Sequence, residues 1–303
     1  MSRSALVIGY GSIGRRHAGI LREMDEIGDV TVLSSQSNLP FRTIRNIDEV
    51  GTIDPDYIVI ASNTALHYKH LVYLENKFSN KTILVEKPLF ERAYEFTPVN
   101  NTVWVAYVLR AHPILQLIKK TAGTKNIWSI HAFCGSYLPD WRPGRDYKET
   151  SSAKVESGGG VMLDLSHELD YVQWIAGRIE IDYVCSERVS TLEIETDDLL
   201  MLNGHTENGT KVQINLNYFT RNPKREILID GEDISIQADL INNCVRIHLD
   251  GKVQTYSYED NEMNDIFREE HKAVLAGNSE MACSCQEGLA TMNLIERIKT
   301  FGQ

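Results

Sequence analysis

Short apolar runs, glycine turns and amphipathic stretches set the first third of the chain apart from the rest. Ala5-Leu6-Val7-Ile8 is wholly apolar, the mark of a strand buried on both faces. Gly9-Tyr10-Gly11-Ser12-Ile13-Gly14 follows, and Ile13, His17, Ile20, Leu21 and Met24 then recur at helical spacing. Further strands are predicted over 29–33, 57–61, 82–85 and 102–107. One helix begins near Ala65, and another runs from the turn at Ala111-His112-Pro113 to Lys120. Strand-then-helix repetition predicts a parallel, doubly wound sheet with its ligand beyond the carboxyl ends of the strands.

From Asn126 the period changes. Strand-like segments follow one another over 127–133, 181–188, 199–205, 211–218, 226–229, 245–249 and 253–258. Glu207-Asn208-Gly209, Asp230-Gly231 and Asp250-Gly251 are turn signals between them. Hairpins joined this way predict a largely antiparallel sheet. Helices over about 160–176, 265–276 and 286–300 are expected to cover one of its faces. The boundary is placed near Ala122, giving domains of 1–122 and 123–303.

Composition narrows the partners. A formal charge of −11 argues against nucleic acid or an anionic membrane as the main partner. The five cysteines are odd in number and contain no C-x-x-C, which fits reduced thiols in the cytoplasm. Cys283-Ser284-Cys285 would be a redox or metal pair only with a second pair of ligands, and none accompanies it. No apolar stretch approaches 18 residues, and the N-terminal run is too short for a signal peptide. A soluble, cytoplasmic protein is expected.

The candidate chemistry lies at predicted strand ends. Between a strand and a helix, G-x-G-x-x-G is a dinucleotide signature. Gly9 permits the tight turn, Gly11 lets a pyrophosphate approach, and Gly14 lets helix and strand pack closely. Tyr10, Ser12 and Ile13 complete that loop. About 20 residues on, where an acid would select NAD, stand Ser34, Ser35 and Gln36. With Arg15 and Arg16 beside the loop, NAD or NADP is expected, leaning to NADP. Ser62, Asn63 and Thr64 end the next strand at the cofactor crevice, where Ser62, Asn63 and the following His67 are candidates to bind the cofactor; His67 and His70, at i, i+3, are read as one packed and one solvated histidine.

Two further clusters follow. Glu86-Lys87-Pro88 ends a buried strand, so Lys87 is either a proton-transfer group over the crevice or a surface lysine. Glu86 is a candidate to hold its ammonium or a ribose hydroxyl. Gly158-Gly159-Gly160 leads into a helix with Asp164, His167 and Asp170 at successive i, i+3 positions. Proton relay, metal ligands and a salt-bridged surface all remain open for these three. Upstream, the loop over 137–147 is rich in aromatic rings and guanidinium groups, suiting a substrate lid or a subunit contact.

Together GYGSIGRRH, IVIASNTALHYKH, VEKPL, LRAHP and GGGVMLDLSHELDYVQWIAG resemble the Gfo/Idh/MocA family of NAD(P)-dependent oxidoreductases over nearly the whole chain. The resemblance implies an α/β fold: a Rossmann domain joined to an α+β domain with a mostly antiparallel, open-faced sheet. It also implies a homo-oligomer, dimer or tetramer, formed through that sheet. It casts Lys87 and His167 as catalytic, with Asp164 orienting one of them. Its bacterial glycan branch implies hydride transfer between nicotinamide and a sugar or nucleotide sugar. Arg110, Tyr137, Trp141, Arg142 and Arg145 are then candidates to hold substrate, and no metal is assigned. The chain departs from the family pattern in that Asp164 and His167 are three apart, leaving Leu163 at the usual acid position. Val108 and Ser62-Asn63 also replace common family residues. A nicotinamide-binding sensor and an NAD-dependent glycosidase are the alternatives.

Overall fold

The computed structural model describes residues 2–258 and 261–302 and divides them into two units. The first begins with β1 (Arg3–Ile8), α1 (Ser12–Glu23), β2 (Ile27–Leu33), β3 (Arg42–Ile44) and β4 (Tyr57–Ile60). It continues through α2 (His67–Lys77), β5 (Thr82–Glu86) and β6 (Thr102–Ala106). The apolar runs are strands for the reason the sequence suggests: all four residues of β4 are buried, as are the last four of β1. All pairings among these six strands are parallel.

The second unit starts at His112, whose Nδ1 accepts the Ile114 N–H and caps α3 (Pro113–Ala122). Next come β7 (Ile127–Gly135), α4 (Val161–Asp164), α5 (His167–Ala176), β8 (Ile179–Glu187), β9 (Leu199–Thr206) and β10 (Lys211–Asn217). A meander of β11 (Lys224–Gly231), β12 (Ile234–Asp239), β13 (Cys244–Leu249) and β14 (Lys252–Ser257) completes its sheet. The strand order is β14-β13-β12-β11-β7-β10-β9-β8, antiparallel except between β7 and β10. In β11, Ile227 and Ile229 are buried while Leu228 faces out, the alternation of a sheet covered on one side.

The chain then returns to the first unit with α6 (Met263–Ala276) and β15 (Cys283–Ser284), and α7 (Cys285–Lys299) follows. β15 pairs antiparallel with β6, giving the order β15-β6-β5-β4-β1-β2-β3. The first unit is therefore 1–111 with 262–289, and the second 112–261 with 290–303. A single cut near Ala122 does not describe this division, because α6 packs its apolar stripe on α1. The helix expected over 160–176 is two helices, broken at Leu165-Ser166. Cys283 and Cys285 are buried, and burial pushes the Cys285 thiol up to about 12, so the segment suits packing rather than redox chemistry.

Candidate active site

In the first unit the glycine loop joins β1 to α1 with little room to spare. Gly9 has φ +99°, and a Cβ there would lie 2.6 Å from the Ala61 carbonyl oxygen. A Cβ on Gly14 would lie 2.1 Å from the Gly9 oxygen, so α1 can approach the loop only through glycine. Gly11 is the opposite case: a Cβ there would meet nothing within 4 Å. It is the N-cap of α1 with no side-chain cap, and the first turn, including Ser12 and Ile13, carries no acid. Open space against uncapped N–H groups at a helix N-terminus is the cradle a pyrophosphate requires. These residues fit a dinucleotide.

The loop after β2 forms the adjoining rim. Ser34 is buried and its Oγ accepts the Gln36 N–H, while Gln36 donates through Nε2 to the Tyr10 carbonyl at 2.9 Å. Ser35 is exposed. Tyr10 is itself buried edge-on to Phe41, with the Arg15 guanidinium 5.6 Å from its ring, so its backbone is what faces the loop. Arg45, which sequence reasoning missed, donates through Nη1 to the Ser34 carbonyl at 3.0 Å and to that of Gln36. The signal was weak: Arg45 stands 11 residues from Ser34, beyond the short β3.

At the ends of β4 and β5 the polar side chains turn inward. Ser62 Oγ meets His70 Nδ1 at 3.0 Å, and Asn63 is exposed beside it. His67 is 1% exposed, with Nε2 3.0 Å from the Ser62 carbonyl oxygen and Nδ1 3.1 Å from that of Pro88. Burial holds this imidazole below the usual histidine range. His67 thus braces two loops instead of facing a cofactor. Glu86 is also buried: Oε1 lies 2.8 Å from His17 Nε2, and Oε2 accepts the Lys87 N–H at 3.0 Å. Both of its oxygens are engaged by the protein, which departs from a role on a ribose hydroxyl. Lys87 itself is half-buried. Arg110, expected on the substrate, is 2% exposed and donates to the half-buried Glu287 at 2.8 Å, an ion pair within this unit.

In the second unit the break between α4 and α5 reshapes the expected acid–histidine face. Asp164 and His167 are half-buried, whereas Asp170 is 1% exposed and belongs to the interior. Leu163 is also buried, so the usual acid position is part of the core. The Tyr218 hydroxyl donates to Asp164 Oδ2 at 2.6 Å. Burial, reinforced by the Asp164 charge, raises the Tyr218 phenol well above its ordinary range and keeps it a proton donor. Asp197 accepts the Met162 N–H through Oδ2, and burial with the charge of Asp164 pushes its carboxyl up to about 6. A Cβ on Gly160 would lie 2.3 Å from Asp197 Oδ1, so this glycine, at φ +116°, makes room for the acid. Tyr218 and Asp197 lie 54 and 33 residues or so beyond Asp164, outside any local motif.

The polar loop lies in the same unit. Trp141 stands edge-on to Tyr218 with ring centroids 5.2 Å apart, and its Nε1 donates to Ser136 Oγ. Trp141, Arg142, Arg145, Tyr147 and Ser152 line one small pocket, with both arginines exposed. Tyr137 instead stacks under the Arg221 guanidinium, 3.5 Å from its ring centroid. Deeper in, Glu168 is wholly buried and pairs with Arg225 at 2.8 Å, an ion pair that fixes α5 on the sheet. Among the described residues no cluster of three or more His, Cys, Asp or Glu is arranged to hold a metal ion.

Residues 118–237 match the family profile of the GFO/IDH/MocA C-terminal domain. No curated protein matches the chain in sequence. Among solved structures it resembles UDP-N-acetylglucosamine 3-dehydrogenase GnnA from Acidithiobacillus ferrooxidans at TM-score 0.78 and 17% identity, over 99% of this chain and 97% of that one. The WlbA dehydrogenase from Bordetella pertussis, in complex with NADH and UDP-GlcNAcA, aligns at 0.77 and 16% identity, over 100% and 98%. A levoglucosan dehydrogenase in complex with NADH aligns at 0.86 and 16% identity, over 99% and 96%. Residues 118–237 thus belong with the Gfo/Idh/MocA C-terminal domain, and the whole length of the chain carries the fold of these dehydrogenases.

Proposed function

We propose that the chain is an NAD(P)-dependent oxidoreductase that moves a hydride between nicotinamide and the hydroxyl or carbonyl carbon of a sugar or nucleotide sugar. The observation that carries this reading is the open, uncapped cradle at Gly11 between two positions where only glycine fits. Supporting it, GnnA is a UDP-N-acetylglucosamine dehydrogenase, WlbA holds NADH with UDP-GlcNAcA, and levoglucosan dehydrogenase is solved with NADH and its sugar. The nicotinamide, when bound, supplies or accepts the hydride. Lys87 and His167 exchange the accompanying proton and polarise the reacting oxygen. Asp164, which accepts the Tyr218 hydroxyl, orients His167. Trp141, Arg142 and Arg145 offer a stacking face and two forks suited to a sugar bearing phosphate or carboxylate.

The rim at Ser34, Ser35 and Gln36 has no carboxylate to repel a 2′-phosphate, and Arg45 is anchored to it, which favours NADP. The open face of the second sheet, where Leu228, Met201 and Tyr183 are exposed, is the surface for a second copy. Among the described residues no helix is long and apolar enough to cross a membrane, and the five unbridged cysteines suit a cytoplasmic site of action.

The test is nicotinamide fluorescence with NADPH and NADH titrated separately, followed by pools of free and nucleotide-linked sugars. Oxidation or reduction with one pool identifies the substrate class. Tight binding without net redox chemistry would favour the sensor or the glycosidase, and absence of binding would sink the proposal. Lys87→Met is expected to leave cofactor affinity within about threefold while slowing hydride transfer roughly a hundredfold.

A further inference from the structure

Behind the candidate catalytic lysine lies a buried polar chain that the reaction itself does not use. Glu86 Oε1 is 2.8 Å from His17 Nε2, His17 Nδ1 is 2.9 Å from His271 Nε2, and His271 Nδ1 is 2.8 Å from the Tyr57 hydroxyl. His17, His271 and Tyr57 are all 0% exposed. They come from α1, α6 and β4, and Glu86 ends β5, so the chain ties four elements of the first unit together. Phe267 packs edge-on against His17, and the charge of Glu270 acts on Tyr57 from the same helix, α6.

With both rings neutral and Glu86 acting only as an acceptor, the hydrogen bonds have one self-consistent direction. The Tyr57 hydroxyl donates to His271 Nδ1, which leaves the His271 proton on Nε2, where it donates to His17 Nδ1. The His17 proton is then on Nε2 and donates to the Glu86 carboxylate, the strongest acceptor of the series. The second Glu86 oxygen accepts the backbone N–H of Lys87. A carboxylate supplied with two N–H donors is satisfied and fixed in place, whereas one deprived of its buried donor must move or take up a proton.

We propose that His17, His271 and Tyr57 are positioning residues, a one-way hydrogen-bonded chain that holds the Glu86 carboxyl group in place and through it the backbone of Lys87. This rests on the reading of Lys87 as the proton-transfer group. It gives α6 a purpose beyond packing: the segment that returns late in the sequence delivers His271, without which the chain of donors is broken in the middle.

Histidine-selective 15N labelling of the full chain tests the arrangement without any ligand. Long-range proton–nitrogen spectra, assigned with His17→Gln and His271→Gln, should show both rings as neutral Nε2–H tautomers with slowly exchanging ring protons. An Nδ1–H tautomer or fast exchange at either ring overturns the proposal. On the catalytic side, His17→Leu should lower kcat by roughly tenfold or more while cofactor Kd changes less than about threefold, and His17→Gln should recover most of that loss. A folded His17→Leu variant with wild-type kcat also overturns it. Should His17→Leu fail to fold, Tyr57→Phe keeps the ring volume, and it should release the His271 tautomer and lower kcat about two- to fivefold. An unchanged tautomer and kcat in Tyr57→Phe would count against the chain. A wild-type protein that binds no cofactor overturns the oxidoreductase reading, and with it the catalytic purpose of the chain, while the tautomers still report whether the chain exists.

Discussion

The two sheets bury their residues in different ways, and the difference separates what holds the molecule together from what it presents. In the first unit, β1, β4 and β5 are covered on both faces, and no residue from Leu6 to Ile8 or from Tyr57 to Ile60 exposes any surface. Function there is pushed to the strand ends, where Gly9 to Gly14 and Glu86-Lys87 sit. In the second unit one face is covered and the other is a mosaic. Across β11, β7, β10, β9 and β8 runs the open-face row Leu228, His131, Gln213, Asn203, Tyr183, with His131 bonded to Gln213 and Gln213 to Asn203. A doubly covered sheet tolerates no change in its middle, and an open face can be altered where it meets water or another copy.

Three substitutions sharpen this contrast, in falling order of effect. Val59→Asp places a charge in the middle of the doubly covered sheet and should cost at least about 4 kcal/mol, read as loss of folded protein in urea melts. A cooperative melt near the wild-type midpoint would show that this sheet is not the closed core described here.

Asp197→Asn probes the covered side of the second unit. Its carboxyl is pushed up to about 6 in the fold against 3.8 for a free aspartate, so the folded state holds the proton more tightly than the unfolded chain. Stability from this group is complete below about pH 4 and is lost as pH rises through about 6. Asparagine keeps the acceptor for the Met162 N–H and removes the buried charge, so stability should rise by about 1–3 kcal/mol at pH 8 and hardly at all at pH 4. Equal melting temperatures at pH 8 would show that the acid is not strained there.

Leu228→Asp changes the open face at a residue 41% exposed and should move the unfolding free energy by less than about 0.5 kcal/mol. Its larger effect is expected on assembly, with light scattering showing a shift toward the monomer. An unchanged mass would remove this face as the contact between copies.

Much of this plan is legible in the sequence because local pattern carries it. Apolar runs of four residues mark β1 and β4 and one of three marks β5, and the glycine spacing marks the cradle. β3 and β15, three and two residues long, are too short to show a period, and β12 lies between close turns. The helix break at Leu165-Ser166 is hidden because neither residue is a helix breaker, and Tyr218, whose hydroxyl meets Asp164 beside the break, lies 54 residues away. The roles of Glu86 and His67 follow from partners in other strands and loops, and the His17–His271 pair spans 254 residues. Residue type names the chemistry a side chain can do, and only the partners decide whether it faces the crevice or the core.

The discontinuity of the first unit also orders events in time. On the ribosome, residues 3–111 emerge well before α6 and the edge strand β15 that complete their unit, which follow only after residues 112–261 of the second unit have been made. Until then His17 and Tyr57 lack the ring that joins them, and α1 lacks the helix that covers its apolar flank. The nascent first unit is therefore at its most vulnerable to proteases and to sheet-edge association during synthesis, until the segment that seals it emerges about 150 residues later.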